Sequence, residues 1–156
     1  MTDPATSSHA ECGVAGRTFS VGDLVGRYAY RFNGFAMSNN ILRYLVGVGQ
    51  FDITADGSLT GHHKSSITAL AGQAAKLQTG DYDLLGKIKL EATGMGFASI
   101  DFKPTGGGGL EVLGKFYVQV AGKPDRLWFI SAGGTLPTRN SMEADELVTL
   151  EAVRMV

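Results

Sequence analysis

Three histidines are the side chains of this chain that can move a proton near neutral pH. His62 and His63 are adjacent in the sequence. Neighbouring side chains of a strand point to opposite faces, so this pair cannot bind one metal ion together. His9 stands alone near the start of the chain. Because no other residues have the spacing of metal ligands, we expect no metal site.

His63 is the candidate for chemistry. If it faces an apolar cavity beside Tyr28, Tyr30 or Ser65, it can act as a general base or orient a polar ligand. The alternatives are a core histidine that is hydrogen-bonded to a tyrosine hydroxyl, or an exposed histidine if the strand has the opposite phase. A titratable group in a concave apolar site is a common starting point for function. The candidate catalytic residues are therefore His63 and Tyr30.

Two glycine-rich segments lack the features of phosphate-binding loops. The run 106–109 has no Lys-Ser/Thr after it, and it precedes a predicted strand rather than a helix whose N-terminus can face an anion. The segment 94–96 fails the dinucleotide pattern for the same reason, and both segments are typical of hairpin turns. Cys12 has no histidine placed near it, so we predict neither a nucleophilic cysteine nor a bound cofactor.

Length and composition fit one soluble domain. The chain has 156 residues, of which 44% are apolar and 22 are glycine. Its formal charge is −1, so it lacks the basic surface that binds nucleic acid or an acidic membrane. It has one cysteine, no apolar stretch of ~20 residues, and no apolar core of a signal peptide near its start. We therefore expect a cytoplasmic protein without nucleic-acid or membrane partners.

The pattern along the chain predicts strands. Residues 1–20 are small and polar and are predicted to form a flexible arm, and residues 21–156 a single β-barrel domain. Eight alternating runs follow one another: Val25–Phe35, Arg43–Thr54, Leu59–Leu70, Tyr82–Ala92, Phe97–Lys103, Leu110–Ala121, Arg126–Ala132 and Glu146–Met155. Turn residues separate the runs, which predicts an all-β, eight-stranded antiparallel up-and-down barrel, with a two-sheet β-sandwich as the alternative. Ser141–Glu146 favours one helical turn.

Charged residues indicate which face of a strand points outward. Asp83, Lys87 and Lys89 share one side of the fourth run, and Glu111 and Lys115 share one side of the sixth. The alternate residues of these strands must then face inward. Extended to the whole barrel, this alternation predicts the ligand-binding residues Tyr28, Tyr30, Phe32, Phe51, His63 and Phe116.

Small residues lie among these aromatic residues on the predicted inner face. Gly47, Gly49 and Gly114 are the main examples. An eight-stranded barrel can be filled by side chains or can hold one small ligand, and small inner residues leave room for the ligand. The other interpretation is that the glycines relieve curvature where strands bend.

Several predicted strands are apolar on the outer face as well. Val46 and Val48 in the second run and Tyr117 in the sixth alternate with inward residues, and in the seventh run one of two pairs, Trp128 with Ile130 or Leu127 with Phe129, must point outward. An exposed apolar patch of this kind is typical of an interface, and twofold symmetry is the commonest closed arrangement. We therefore expect a homodimer. The alternative is that the N-terminal arm or the loop 136–145 covers the patch.

The segment from Gly22 to Tyr28 reads Gly-Asp-Leu-Val-Gly-Arg-Tyr. It resembles the start of lipocalin-type (calycin) barrels, where a short Asp-Leu lead-in precedes Gly-x-Trp on the first strand. Tyr28 stands in the place of that tryptophan. In the family an arginine on the last strand packs over the tryptophan and closes one end, so the resemblance implies that Arg154 packs over Tyr28. Bacterial barrels similar to allene oxide cyclases are equally compatible with the pattern.

Two hypotheses of different class follow. The first is binding of a small, mostly hydrophobic ligand inside a lipocalin-like barrel. The second is a cofactor-free isomerase or cyclase that acts on a small hydrophobic substrate in the same cavity, with His63 or a tyrosine transferring a proton. A barrel with a filled interior would support neither hypothesis.

Overall fold

The structure is a computed structural model that describes residues 17–38, 41–69, 77–106, 112–136 and 142–156. A short 3-10 helix, Val21–Leu24, precedes the strands. The strands are β1 (Gly26–Ser38), β2 (Ile41–Ile53), β3 (Ser58–Ala69), β4 (Gln78–Leu90), β5 (Met95–Pro104), β6 (Val112–Val120), β7 (Arg126–Leu136) and β8 (Met142–Arg154). The part of the chain that the structure describes contains no helix long and apolar enough to cross a membrane. The expectations for the arm before residue 17, including His9 and Cys12, lie outside that part.

The eight strands form one closed antiparallel barrel. Each strand pairs with the next along the chain, and β1 also pairs with β8. The predicted all-β barrel is therefore confirmed, and the two-sheet sandwich is wrong. Tight links at one end support this order. Gly57, Gly94 and Gly122 have φ between +72° and +84° in these links, a conformation that glycine adopts without strain.

β8 begins earlier than predicted. The expected helical turn over Ser141–Glu146 is wrong for its described residues, because these belong to the strand from Met142 onward. Gly134 of β7 pairs with Ala144, and Met37 of β1 pairs with Asp145. Backbone pairing on both sides outweighs a helix preference of a few tenths of a kcal/mol per residue.

The inward and outward faces agree with the charge pattern. Arg27, Lys87 and Lys115 are exposed. The inner face forms the buried core, which includes Tyr28, Tyr30, Phe51, Leu59, Leu84, Ile88, Ile100, Phe116, Val118, Leu127, Phe129 and Leu150. The strict period of two in each strand is what encloses these side chains on one side of the sheet.

Tyr28 and Arg154 close one end of the barrel. The Tyr28 hydroxyl accepts hydrogen bonds from Nε and Nη2 of Arg154 at 3.2 and 2.9 Å. It lies 3.0 Å from the carbonyl oxygens of Leu24 and Pro124. The guanidinium lies 5.4 Å from the centre of the Tyr28 ring, and it also donates to the carbonyl of Asp23. The pair that the lipocalin resemblance implies is therefore present.

The connections at residues 39–40, 70–76, 107–111 and 137–141 lie outside the described part of the chain, as does most of the predicted glycine turn 106–109. The candidate site is formed by described inward-facing residues of the strands, on the side away from the Tyr28–Arg154 pair.

Candidate functional site

A cavity of about 80 Å³ lies inside the barrel, on the side away from the Tyr28–Arg154 pair. It is lined by Phe32, Leu45, His63, Ser65, Ile67, Tyr82, Phe102, Val112, Gly114, Phe116, Val148 and Leu150. Among the described residues of this lining, none has a charged side chain at pH 7. The volume has room for about three water molecules, and it is roughly half that of a ~150 Å³ cavity that holds benzene.

The predicted ligand-binding residues lie at two depths of the barrel. Phe32, His63 and Phe116 line the cavity itself. Tyr30 lies just below it and contacts it through His63. Tyr28 and Phe51 are deeper, where their rings stack 5.4 Å apart and fill the barrel below the cavity. All six are on the inner surface, and their role as ligand contacts stays a prediction.

His63 and Tyr30 form a buried hydrogen-bonded pair across Gly49. The Tyr30 hydroxyl lies 2.7 Å from Nδ1 of His63. Gly49 pairs with Tyr30 on one side and with His63 on the other, so the tyrosine ring must cross over it. The two rings are parallel, with centres 5.7 Å apart. The sequence left three interpretations of His63 open. The structure shows a buried histidine that is hydrogen-bonded to a tyrosine hydroxyl, and this histidine also lines the cavity.

Aromatic rings surround His63 on its other sides. The ring centres of Phe32, Phe102 and Tyr82 lie 4.7, 5.4 and 5.9 Å from that of His63. The side chain is 3% exposed. Burial among these rings lowers the pKa of His63 to about 4, because the charged imidazolium loses its hydration. The imidazole is therefore neutral at pH 7.

The inner glycines make room for aromatic rings. A Cβ atom on Gly47 would lie 2.2 Å from the Phe32 ring, and one on Gly49 would lie 2.6 Å from the Tyr30 ring. A Cβ atom on Gly114 would lie 2.7 Å from Phe116. Neighbouring aromatic rings thus occupy the space beside these glycines. The glycines determine where the rings lie, but the space beside them is not the cavity itself.

Replacing Gly49 by alanine is expected to destabilise the barrel by about 1–3 kcal/mol, as overpacking of a core does. The new Cβ would meet the His62 carbonyl oxygen at 2.4 Å and the Tyr30 ring at 2.6 Å. The ring must then move away from His63. Urea unfolding measures the loss of stability, and Gly106→Ala is the control because nothing lies within 4 Å of its Cβ position. Equal stability of the two variants would contradict the crossing of Tyr30 over Gly49.

Ser65 is the second buried polar side chain of the cavity. It is 7% exposed and lies two residues after His63 on β3, so both point to the same side of the sheet. Its strand neighbour on β2 is Gly47 and on β4 is Gly80. Among the described residues, neither the Ser65 hydroxyl nor Nε2 of His63 has a hydrogen-bond partner.

The sequence analysis missed Phe102 and Tyr82 as members of the site. The signal for Phe102 was available, because Asp101 and Lys103 are charged and the residue between them must face inward. Tyr82 is in phase with Leu84, which was assigned inward. Both rings contact His63. Both residues are far from His63 along the chain, so the sequence did not indicate that their rings contact it.

Other candidate regions are weaker. Apolar side chains on the outer surface of the barrel include Val46, Tyr117 and Trp128. These side chains are largely exposed to solvent, whereas His63 and Ser65 are enclosed. Within the described ranges, no group of three or more His, Cys, Asp or Glu side chains is placed to hold a metal ion.

The fold and this cavity define a class of protein, the closed eight-stranded antiparallel barrel with an interior site. That architecture is compatible with a lipocalin-like fold. Comparison of the chain with models of protein families, with curated proteins and with solved structures finds no match. The argument for function therefore depends on the geometry of the site.

Proposed function

We propose that this protein binds one small, mostly hydrophobic molecule inside a lipocalin-like barrel. The observation that carries this proposal is that two buried polar residues, His63 and Ser65, line an otherwise apolar cavity, and that neither Nε2 of His63 nor the Ser65 hydroxyl has a partner among the described residues. Both atoms are accessible from the cavity, since the one fully buried side-chain atom without a partner in the described part of the chain is Oδ1 of Asp101. A ligand with a polar atom would satisfy these groups.

The size of the cavity sets the size of the ligand. Sites for drug-sized ligands have volumes of about 300–1,000 Å³. The interior cavity has about 80 Å³. The expected occupant is therefore smaller than benzene, with its apolar part against Phe32, Phe102 and Phe116.

Acid–base properties favour binding over the isomerase or cyclase alternative. An efficient general base or acid has a pKa near the working pH. Burial lowers the pKa of His63 to about 4 and raises the pKa of Tyr30 above its ordinary value. At neutral pH, His63 is then a weak base and Tyr30 a weak acid. A pair of this kind is better suited to orient a ligand than to transfer its protons.

Native mass spectrometry of the purified protein tests the proposal, with butan-2-one as the added probe and NMR titration as the second readout. We expect amide shifts confined to strands that line the cavity. Ser65→Leu fills the cavity and should abolish the shifts, whereas Ser66→Leu, on the outer face of the same strand, should retain them. No bound molecule and no interior shifts in the wild-type protein would overturn the proposal.

We also propose that the chain forms a homodimer through the outer face of β5, β6 and β7. Phe97, Tyr117 and Ile130 occupy directly paired positions across these strands. Together with Trp128 they are 38–58% exposed. Phe19, from the predicted arm, packs against the core beside Gly94 at the closed end. Phe19 therefore does not cover this outer face.

Sedimentation equilibrium at micromolar concentration should give a dimer of the 16.5 kDa chain. Trp128→Glu places a charge within the patch and should yield a monomer. Leu85→Glu is the control, because Leu85 is also exposed but lies on β4 outside the patch. A monomeric wild-type protein would refute the self-association.

A further inference from the structure

We infer that the occupant of the cavity is a neutral carbonyl compound whose oxygen accepts a hydrogen bond from Nε2–H of His63. This inference rests on the proposed binding function and adds the chemical class of the ligand. It follows from the position of one proton. That position is fixed by the Tyr30–His63 contact.

The Tyr30 hydroxyl has one hydrogen-bond partner in the described part of the chain, Nδ1 of His63 at 2.7 Å. Tyr30 is 5% exposed, so an O–H without an acceptor would be buried. If Nδ1 carried the proton, the tyrosine O–H would have nothing to donate to. The hydroxyl therefore donates to Nδ1, and the proton of the neutral imidazole is on Nε2.

A protonated Nε2 can only donate, so the ligand atom opposite it must be an acceptor. Nδ1 and Nε2 point in different directions from the ring, and with Nδ1 directed at Tyr30, Nε2 faces the side of the ring toward the cavity. The ligand that fits His63 here is an oxygen or nitrogen with a free lone pair. A ligand hydroxyl hydrogen, an ammonium group or an N–H would find no acceptor at this atom.

The other residues of the lining restrict the chemical class of the acceptor group further. A carboxylate would be buried without any cation among the lining residues, which is strongly unfavourable. Ser65 offers a second donor on the same face of β3, two residues from His63. A carbonyl oxygen has two lone pairs and can accept from both groups, whereas an aromatic ring nitrogen has one. A neutral carbonyl is therefore the best match.

Three probes with equal numbers of heavy atoms separate these possibilities: butan-2-one, 2-methylbut-1-ene and propanoate. Each is titrated by NMR into the wild-type protein and into His63→Phe, in which a ring replaces the donor. For each protein we take the ratio of the Kd of the alkene to the Kd of the ketone. The two probes differ in hydration, but this difference is the same for both proteins, so it cancels when the two ratios are compared. We expect this ratio to fall about tenfold in His63→Phe, the size of one neutral hydrogen bond. His62→Gln, on the outer face, should leave the ratio unchanged.

The imidazole ¹⁵N signals of His63 give a readout that needs no ligand. We expect Nε2 to be protonated and Nδ1 unprotonated in the free protein. Tyr30→Phe removes the hydroxyl that fixes this tautomer, so it should mix the two forms and lower the ketone preference even if His63→Phe does not fold. Propanoate should bind no better than the alkene.

The outcomes distinguish a failure of this inference from a failure of the proposed binding function. An unchanged Kd ratio in the variants, tight binding of propanoate, or a proton on Nδ1 overturns the inference while the proposed binding function stands. Absence of binding by all three probes overturns the proposed function, and the inference with it.

Discussion

Lowering the pH from about 7 to about 4.5 is expected to destabilise the barrel by about 2–3 kcal/mol through His63 alone. Its pKa is about 4 in the folded protein and about 6.5 in the unfolded chain. Between these values the unfolded state binds a proton that the folded state does not. The stabilisation is therefore complete above the unfolded pKa and is lost as the pH falls toward the folded one.

Urea unfolding at a series of pH values measures this effect. The window ends above the ordinary pKa of aspartate, so Asp23 and Asp56, whose pKa values are lowered by hydrogen bonds from Ser20 and Lys87, are mostly ionised in both states and contribute little to the change in stability. His63→Phe should remove most of the dependence of the unfolding free energy on pH. His62→Gln should keep this dependence. A wild-type slope equal to that of His63→Phe would show that the imidazole is not buried as a neutral group.

Replacing Phe51 by alanine is expected to destabilise the protein by about 3–5 kcal/mol, the usual result of truncating a buried phenylalanine. Phe51 is 1% exposed. Its ring centre lies 5.4 Å from that of Tyr28, 5.5 Å from that of Tyr30 and 6.1 Å from that of Phe129. It therefore joins the closed end of the barrel to the floor of the cavity.

Phe35→Ala is the matched control for this prediction. Phe35 is on the outer face of β1, outside the proposed dimer interface, and is 42% exposed, so its truncation should destabilise the chain by less than about 1 kcal/mol. Urea unfolding with an unchanged m-value reports both effects as stability changes. Similar losses for the two variants would contradict the inner position of Phe51.

The faces of the strands were predictable because charge alternation is a local signal. Lys87 and Lys89 on β4, and Lys115 on β6, are each directly followed by an apolar residue, which must lie on the opposite face, and a charged side chain is rarely buried without a partner. The order of the strands was also predictable, since short links join adjacent antiparallel strands. The lipocalin resemblance added the Tyr28–Arg154 pair, which no local pattern indicates.

The cavity could not be predicted from local patterns. Its volume depends on where the rings of Phe32, Tyr30 and Phe116 lie relative to glycines on other strands, and shifts of a few tenths of an ångström change it. The sequence analysis identified Gly47, Gly49 and Gly114 as small inner residues, but it left open what occupies the space beside them. Ring packing across three strands decides that question.

The partner of His63 depends on strand register. The sequence analysis named Tyr28, Tyr30 and Ser65 as neighbours without choosing among them. Register places Gly49 between Tyr30 and His63, so the tyrosine can reach the imidazole, whereas Tyr28 pairs with Phe51 one step closer to the closed end. A shift of register by two residues would have kept every face and changed this pair.

A crystal structure of the protein soaked in butan-2-one tests the central claim most directly. The predicted result is electron density for one probe molecule inside the barrel, with its oxygen within hydrogen-bond distance of Nε2 of His63 and its carbons against Phe32 and Phe102. A cavity that holds only water, or a probe bound only on the outer face beside Trp128, would contradict the account.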